Sequence, residues 1–253
     1  MANSIRYFIG NWKMFGVPSS YKILDNINQF YQKDIKNKKK YRIIIAPPNT
    51  LLQDFSKKFQ NKNIIISSQN CYHKDRFGSF TGNVSPFMIK RLGVNYTIIG
   101  HSECRSSGET DEIIKKKFEL AIKNNLKIIF CIGENKEQKK SKITIKVLKR
   151  QISKAISKKS DFKNLIIAYE PIWSIGSGQI PSVIELKKNI EILKNFTKKK
   201  FRLKQYPKIL YGGSIDKNTI EHFKSNNELD GFLVGGASKS SKNFIDIIKK
   251  FYK

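Results

Sequence analysis

The sequence predicts an α/β protein of the (β/α)8 barrel class, folded as a single domain over residues 1–253. Eight short runs rich in β-branched and aromatic residues recur along the chain, and stretches with helical periodicity separate them. The runs are almost continuously apolar, which is typical of parallel strands buried on both faces. Eight such repeats are enough to close a sheet into a barrel, and no linker divides the chain.

In chain order, we predict strands at Ile5–Ile9, Tyr41–Ala46, Asn63–Ser67, Val94–Ile99, Leu126–Cys131, Leu165–Tyr169, Lys208–Tyr211 and Gly231–Val234. Apolar residues return every three or four positions in the helical stretches, most clearly in Tyr21–Ile35, Asp111–Lys123, Ile143–Ile156, Val183–Phe196 and Phe244–Phe251. Helix start signals support several of them. Ser19 or Ser20 precedes the first helix, Ser182 and Glu185 form a predicted capping box, and Asp216 precedes the seventh helix.

A doubly wound open sheet is the alternative architecture for alternating strands and helices. Such sheets often carry a glycine-rich nucleotide signature directly after a strand. Neither GxGxxG after the first strand nor GxxxxGK[ST] occurs in this chain. The barrel is therefore the favoured prediction.

The chain has 49 Lys and Arg against 20 Asp and Glu, a formal net charge of +29. Such a charge can indicate a nucleic-acid partner or an acidic membrane surface. The accompanying abundance of Asn and Ile instead favours the composition of an AT-rich coding sequence. The lysine clusters fall on or just after predicted helices and lack interleaved aromatic residues, so we do not expect nucleic-acid binding. The positive field can still steer anionic substrates.

Cysteine usage and hydropathy indicate the cell compartment. Cys71, Cys104 and Cys131 show no CxxC spacing, so we expect neither a disulfide framework nor a metal site. The segment Met1–Arg6 has no signal-type apolar stretch, and no run of about 18 apolar residues occurs. We therefore expect a cytoplasmic protein with no membrane segment.

Polar residues follow several predicted strands, at the edge where sites of this class lie. Asn11 and Lys13 follow the first strand, His101 and Glu103 the fourth, and Glu170 the sixth. Small residues follow the seventh and eighth strands, namely Gly212, Gly213, Ser214, Gly235 and Gly236. These side chains are expected to meet at one mouth of the barrel.

Glu170 precedes Pro171–Gly178, a glycine-punctuated segment that can close as a lid. A carboxylate that a lid removes from water is a candidate general base. Lys13 places a cation where negative charge would develop, and His101 is a candidate electrophile. The alternatives are a solvated strand-end glutamate, one more surface lysine and a structural imidazole.

Phosphate binding requires backbone N–H groups that side chains leave unobstructed. Gly176 in the lid, Ser214 after the seventh strand, and Gly235 with Gly236 after the eighth are candidates for such a cradle. A single Gly-Gly pair is more often a turn. Two pairs after strands seven and eight favour a phosphate site, because barrel phosphate sites commonly occur there.

In order and spacing, these blocks resemble the triosephosphate isomerase family over nearly the whole chain. The resemblance is carried by Asn11-Trp12-Lys13-Met14, Gly100-His101-Ser102-Glu103, Ala168-Tyr169-Glu170-Pro171-Ile172-Trp173, Tyr211-Gly212-Gly213-Ser214 and Gly231–Ser238. It implies a TIM barrel that interconverts dihydroxyacetone phosphate and glyceraldehyde 3-phosphate through an enediolate, in glycolysis and gluconeogenesis. It also implies that no metal or cofactor takes part.

The resemblance also implies roles for individual residues. Glu170 would move a proton between C1 and C2 of the triose phosphate. His101, in its neutral form, and Asn11 would donate hydrogen bonds to the substrate oxygens. Lys13 would stabilise the enediolate, and Glu103 would be the partner of Lys13, or alternatively only an acid at a helix N-terminus.

Trp173 resembles the anchoring tryptophan of the family's lid, with Tyr169 and Glu134 as candidate partners for its indole N–H. A plain core aromatic is the alternative. Closure of the lid would protect the enediol phosphate from losing phosphate in water.

The family pattern further implies a homodimer formed through the loop Gly78–Gly82. Two positions that pair as ions across that interface in the family are Asn83 and Cys104 here. Because both ends are replaced, no charge is left unpaired, but the pair's contribution is lost. We therefore expect a dimer that dissociates more readily than usual.

The lid's C-terminal hinge is a second departure. Pro181 stands where many members have an alanine whose N–H meets the tyrosine at position 211, and proline has no N–H. Closure is then expected to depend more on Ser214, Gly178 and the phosphate. Lys239 replaces a usual leucine, for which the sequence offers no physical reason.

Two other functions remain open at this point. One is a different phosphate-binding barrel enzyme acting on another sugar phosphate, although such an enzyme has no need for Asn11, Lys13, His101 and Glu170 together. The other is a catalytically idle barrel that binds nucleic acid through its charge.

Overall fold

A computed structural model describes residues 5–156 and 165–253. The first four residues, in the segment predicted to lack a signal, lie outside this description. The strands form one closed barrel in chain order, which confirms the predicted (β/α)8 class. They are β1 Arg6–Asn11, β2 Tyr41–Ala46, β3 Ile64–Ser68, β4 Tyr96–Ile99, β5 Lys127–Ile132, β6 Leu165–Tyr169, β7 Lys208–Tyr211 and β8 Gly231–Val234. Four of the eight bounds are as predicted, and the others differ by one or two residues.

Helices lie between the strands and surround the barrel. The α-helices of the described residues are α1 Tyr21–Lys33, α2 Asn49–Phe59, α3 Pro86–Arg91, α4 Ser102–Ser106, α5 Asp111–Lys123, α6 Lys136–Lys140, α7 Thr144–Ala155, α8 Val183–Phe201 and α9 Ser241–Tyr252. No helix among these residues is long and apolar enough to cross a membrane. The five predicted periodic stretches correspond to α1, α5, α7, α8 and α9. The bounds of α5 are as predicted, and each of the other four helices differs from the prediction at one or both ends.

All neighbouring strands pair in parallel, including β1 with β8, which closes the barrel. Every strand therefore ends at the same mouth. The core has two layers, because successive side chains of a strand point to opposite faces. Ile9 belongs to a cluster made only of strand residues, whereas Phe8 packs with helix residues such as Leu24 and Phe244. Burial on both faces explains the nearly continuous apolar strands.

Two helix start signals differ from the prediction. Ser182 caps α8 through its hydroxyl, which accepts from the Glu185 N–H, but the Glu185 carboxylate accepts from Lys139 at 2.9 Å instead of closing a capping box. Ser20 is the N-cap of α1, yet its hydroxyl accepts from the Val17 N–H. The sequence locates both helix starts but cannot indicate which partner each side chain takes.

The predicted seventh helix after Asp216 is wrong as an α-helix. The Asp216 carboxylate accepts from the backbone N–H groups of Asn218 and Thr219, as a cap would. The chain that follows forms only the short 3-10 turn Ile220–Phe223. Its buried side chains, Ile220 and Phe223, are fixed by packing on the barrel, so tertiary contacts override the local start signal.

We predict that Gly231→Ala strongly destabilises the fold. Gly231 begins β8 with a φ of +143°, and an added Cβ would lie 2.0 Å from the backbone oxygen of Tyr7 in β1. The clash sits at the seam that closes the barrel. The free energy of unfolding, measured by chemical denaturation, is expected to fall by about 3 kcal/mol.

The matched control is Gly93→Ala, which has a φ of +79° but nothing within 4 Å of its added Cβ. It bears the backbone strain alone, about 1 kcal/mol. Equal losses in the two variants would contradict the proposed clash at the seam.

Candidate active site

A cavity of about 350 Å³ opens at the C-terminal mouth of the barrel. It brings together nearly all the residues singled out from the sequence. Those lining it are Asn11, Lys13, His101, Glu170, Gly176, Ser214, Gly235 and Gly236. Glu103 does not line it and lies behind Lys13.

Lys13 follows β1 in a left-handed conformation, with a φ of 54°. Two side chains hold this strained backbone. Asn11 Oδ1 accepts from the Lys13 N–H at 3.0 Å, and Gln69 Nε2 donates to the Lys13 carbonyl at 2.8 Å. Because its oxygen is engaged, the amide N–H groups are the donors that Asn11, which lines the cavity, has left for a ligand. Gln69 also donates to Ala46 in β2, so it ties the turn to the neighbouring strand.

The Lys13 ammonium donates to Glu103 Oε1 at 2.6 Å. Partial burial raises the pKa of Glu103, but the Lys13 hydrogen bond, the neighbouring His101 and the charges of Lys13 and Lys239 outweigh it, so that the pKa is lowered. Glu103 is thus an ionised partner for Lys13 at neutral pH. Lys239, unexplained by the sequence, also lies over the Phe15 ring at 5.4 Å.

His101 is the N-cap of α4, and its orientation fixes its tautomer. Its Nδ1 accepts from the Glu103 backbone N–H at 3.2 Å. A ring nitrogen that accepts carries no proton, so the neutral ring carries its proton on Nε2. That Nε2 lies 3.5 Å from Glu170 Oε1. The imidazole therefore presents a donor to the cavity beside the carboxylate.

Glu170 is only 3% exposed, although it directly follows β6. Among the described residues, its Oε2 is a buried oxygen without a hydrogen-bond partner. Two glycines make room for it: a Cβ on Gly212 would lie 2.6 Å from Glu170 Cγ, and one on Gly133 would lie 1.9 Å from its backbone oxygen. A buried carboxylate oxygen without a partner is costly, which is typical of a group that acts on a ligand.

The N-terminal part of the lid is anchored through Trp173. Its indole N–H donates to Glu134 Oε1 at 2.8 Å, and Tyr169 donates to the same oxygen at 3.2 Å. Burial raises the pKa of Glu134, although the hydrogen bonds from Trp173 and Tyr169 oppose this effect. The Lys139 ammonium lies 3.9 Å from the centre of the indole ring. Glu134 is therefore the partner of the anchor, and Tyr169 binds that carboxylate rather than the indole.

The lid is seated against the turn after β7. The Gly178 N–H donates to Ser214 Oγ at 3.2 Å, and Ser214 Oγ donates to the carbonyl of Ser174 at 2.5 Å. The Tyr211 hydroxyl, which Pro181 offers no N–H to meet, lies 2.9 Å from Ser174 Oγ. These contacts involve Ser214 and Gly178, on which lid closure was expected to depend. They also involve Ser174, which was not predicted.

Gly235 and Gly236 leave the end of β8 open toward the cavity. A Cβ on Gly236 would have no atom within 4 Å, and one on Gly235 would meet only Lys13 Cε at 3.7 Å. Gly176 in the lid likewise has nothing within 4 Å of an added Cβ. The backbone at these positions is free of side chains, as a ligand of the size of phosphate requires.

The two positions replaced at the expected interface have new partners within the chain. Cys104 Sγ accepts from the Asn70 amide at 3.4 Å. The Asn83 amide donates to the carbonyls of Phe80 and Thr81 in its own loop. Neither replacement leaves a charge without a partner.

Two residues that shape the site have weak signals in the sequence. Gln69 follows β3 at the same mouth, so its strand-end position could have indicated it. Ser174 lies inside the lid together with Ser177, and the sequence alone does not indicate which of the two serines shapes the site.

The fold and cavity define a (β/α)8 barrel with a buried carboxylate, an imidazole and a lysine around a space suited to a small anion. A sequence profile of the family described as Triosephosphate isomerase matches residues 6–251. The chain belongs to the triosephosphate isomerase family.

Individual relatives agree with this assignment. The triosephosphate isomerase of Wolbachia pipientis wMel is 38% identical over 246 residues, covering 97% of this chain and 93% of the relative. That of Mycoplasma mobile is 38% identical over 247 residues, covering 96% and 99%. The crystal structure of triosephosphate isomerase from Bartonella henselae superposes with a TM-score of 0.88 at 30% identity, covering 98% of this chain and 99% of that one.

We predict that Gly212→Ala impairs isomerase activity through Glu170. The added Cβ would lie 2.6 Å from Glu170 Cγ and must displace the carboxylate. A displacement of about 1 Å lowers kcat about a hundredfold. Steady-state kinetics checks this, with Gly93→Ala as the control that changes a glycine remote from the cavity. A kcat for Gly212→Ala equal to that of the control would contradict the packing role of Gly212.

Proposed function

We propose that the chain, as a single domain over residues 1–253, interconverts dihydroxyacetone phosphate and glyceraldehyde 3-phosphate with Glu170 as the general base. The reaction follows from membership of the triosephosphate isomerase family, and it belongs to glycolysis and gluconeogenesis. The observation that carries the role of Glu170 is its buried Oε2, without a partner among the described residues. A base of this kind is ready to take a proton from carbon.

The chemical step needs only proton transfers. Glu170 removes a proton from the carbon beside the carbonyl, and the electron pair of that C–H bond forms the enediolate with its charge on oxygen. His101 Nε2–H and the Asn11 amide donate to the two oxygens, while Lys13 offsets the negative charge. A proton passes from the hydroxyl oxygen on the first carbon to the oxygen of the former carbonyl, and Glu170 returns a proton to the neighbouring carbon. The overall oxidation state is unchanged, so we propose that neither a metal nor a cofactor takes part.

The phosphate is proposed to lie at the backbone N–H groups of Gly235 and Gly236, with Gly176 and Ser214 on the opposite side. The open backbone at the glycines supports this position, since a Cβ there would point into free space. Lys13 lies beside Gly235: its Cε would be 3.7 Å from a Cβ added to that glycine. A phosphate there would gain both backbone donors and a cation.

The lid is proposed to protect the intermediate. An enediol phosphate in water loses phosphate, and a site closed by Pro171–Gly178 excludes the water that assists this loss. The anchoring of Trp173 on Glu134 supports a lid with a fixed seat. As a glycolytic enzyme, the protein is proposed to act in the cytoplasm.

We also propose a homodimer formed through the loop Gly78–Gly82. Two apolar side chains are highly exposed: Phe77, next to this loop, is 76% exposed, and Met14, after β1, is 98% exposed. A cavity of about 290 Å³ beside this loop, lined in part by Asn70 and Glu109, offers space for the loop of a second copy. Large exposed apolar groups next to a cavity support an interface.

We predict that Glu170→Gln lowers kcat for triose phosphate isomerisation about a thousandfold, because an amide cannot accept the proton. The variant keeps the size of the side chain and the cradle for phosphate. Binding of glycerol 3-phosphate, which has no carbonyl and cannot react, is expected to be nearly unchanged in calorimetry.

The matched control is Glu119→Gln, the same change on the exposed face of α5. It is expected to retain full activity. Wild-type turnover by Glu170→Gln would contradict the proposed base, whereas loss of both activity and glycerol 3-phosphate binding would indicate a collapsed site rather than a missing base.

We predict a dimer that dissociates at submicromolar protein concentration, because the interface lacks the ion pair replaced by Asn83 and Cys104. Sedimentation velocity across a dilution series measures this. Met14→Arg is expected to give a monomer. Ile184→Arg, at another highly exposed apolar position (82%) on α8, is expected to leave the association unchanged. Undiminished dimer at nanomolar wild-type protein would contradict the weakened interface.

A further inference from the structure

Ser174 is a fully buried polar residue in a lid whose later residues are exposed. It ends the 3-10 turn Ile172–Ser174 and is 0% exposed, while Gly176, Ser177 and Gly178 of the same lid are exposed. A buried hydroxyl requires partners, since an unpaired one costs free energy. Ser174 is therefore the point at which the lid packs into the protein interior.

The Ser174 hydroxyl has three polar neighbours that fit its capacity. It donates to the Gln179 carbonyl at 2.5 Å, which uses its one proton. Its two lone pairs remain for the Tyr211 hydroxyl at 2.9 Å and the Ser214 N–H at 3.4 Å. One hydroxyl thus connects both ends of the lid to the turn after β7.

Tyr211 requires this partner. The side chain is fully buried at the end of β7, and a buried phenol must hydrogen-bond. Burial raises the pKa of Tyr211, so the phenol keeps its proton. Because the Ser174 hydroxyl proton is used at Gln179, Tyr211 is the donor in their contact. Pro181, at the lid's far hinge, has no N–H to donate to the Tyr211 oxygen.

Gly213 keeps the space for this contact. An added Cβ there would lie 2.2 Å from the Tyr211 hydroxyl and 2.6 Å from Ser174 Oγ. The Ser174 carbonyl also accepts from Ser214 Oγ at 2.5 Å, and Ser214 in turn accepts from Gly178. Side-chain and backbone groups of Ser174 therefore meet the same turn.

We propose that Ser174 is a positioning residue that holds the lid closed through its hydroxyl, by joining Tyr211 and Ser214 to Gln179. The inference rests on the proposed function, since the lid covers the cavity that contains Glu170. Ser174 does not contact the substrate. It acts by keeping Gly176 and Gly178 over the cavity.

A lid that opens too early releases the enediolate or admits water. The C–O bond to phosphate then breaks, phosphate leaves with the bonding electrons, and the remaining enol takes up a proton and tautomerises to methylglyoxal. No oxidant or reductant is needed. The ratio of phosphate released to triose phosphate isomerised therefore reports lid closure, and a purely structural defect would not change this ratio.

The test is Ser174→Ala, assayed for isomerisation and for inorganic phosphate release. Loss of the hydroxyl is expected to lower kcat about tenfold, with a smaller change in KM, and to raise the phosphate ratio severalfold. Tyr211→Phe removes the same contact from the other side and is expected to act alike. The double variant is expected to lose less than the sum of the two.

Ser177→Ala is the matched control, because the Ser177 hydroxyl bonds backbone groups of Trp173, Ser174 and Gln179 rather than Tyr211 or Ser214. Its phosphate ratio is expected to stay near the wild-type value. If Ser174→Ala does not fold, Tyr211→Phe alone decides.

A wild-type phosphate ratio in the folded Ser174 or Tyr211 variant would overturn the inference, as would additive effects in the double variant. Failure of the proposed function would be recognised separately, because the wild-type protein would then not isomerise triose phosphates at all.

Discussion

The burial of one carboxylate, that of Glu170, is the constraint on which the site depends. Its side chain is almost inaccessible at the end of β6, and one of its oxygens lacks a partner among the described residues. That state is unfavourable for an ionised group and persists only because the surrounding structure enforces it. Gly212 and Gly133 leave the space, His101 approaches from β4, and the lid covers the remaining side. The barrel supplies the rigid frame that these constraints need.

The lid is held at two places by different chemistry. Trp173 is fixed by the Glu134 carboxylate at the N-terminal hinge, and Ser174 meets Tyr211 beside the turn after β7. Pro181 limits the donors available at the C-terminal hinge. Ser174, seven residues earlier, provides Tyr211 with a hydroxyl partner at a different point of the lid. Lid closure in this chain is thus proposed to depend on side-chain hydrogen bonds, which single substitutions can remove.

Sequence patterns predicted the barrel and the convergence of Asn11, Lys13, His101 and Glu170, because parallel strands end at one mouth and strand-end residues are easily recognised. Partner choice was not predictable. Glu185 pairs with Lys139 on another helix, and the chain after Asp216 forms the 3-10 turn Ile220–Phe223 instead of an α-helix. Both depend on what packs nearby in three dimensions, and local propensity does not contain that information. Ser174 was missed for the same reason.

Hydrogen transfer during turnover in D₂O tests most directly whether Glu170 is sealed from water. If closure shields the carboxylate, part of the proton taken from dihydroxyacetone phosphate returns to the neighbouring carbon before it exchanges with solvent. Mass spectrometry of glyceraldehyde 3-phosphate, trapped as it forms, is then expected to show a fraction that carries protium at that carbon. Product labelled only with solvent deuterium, even in the earliest samples, would contradict a base enclosed by the lid.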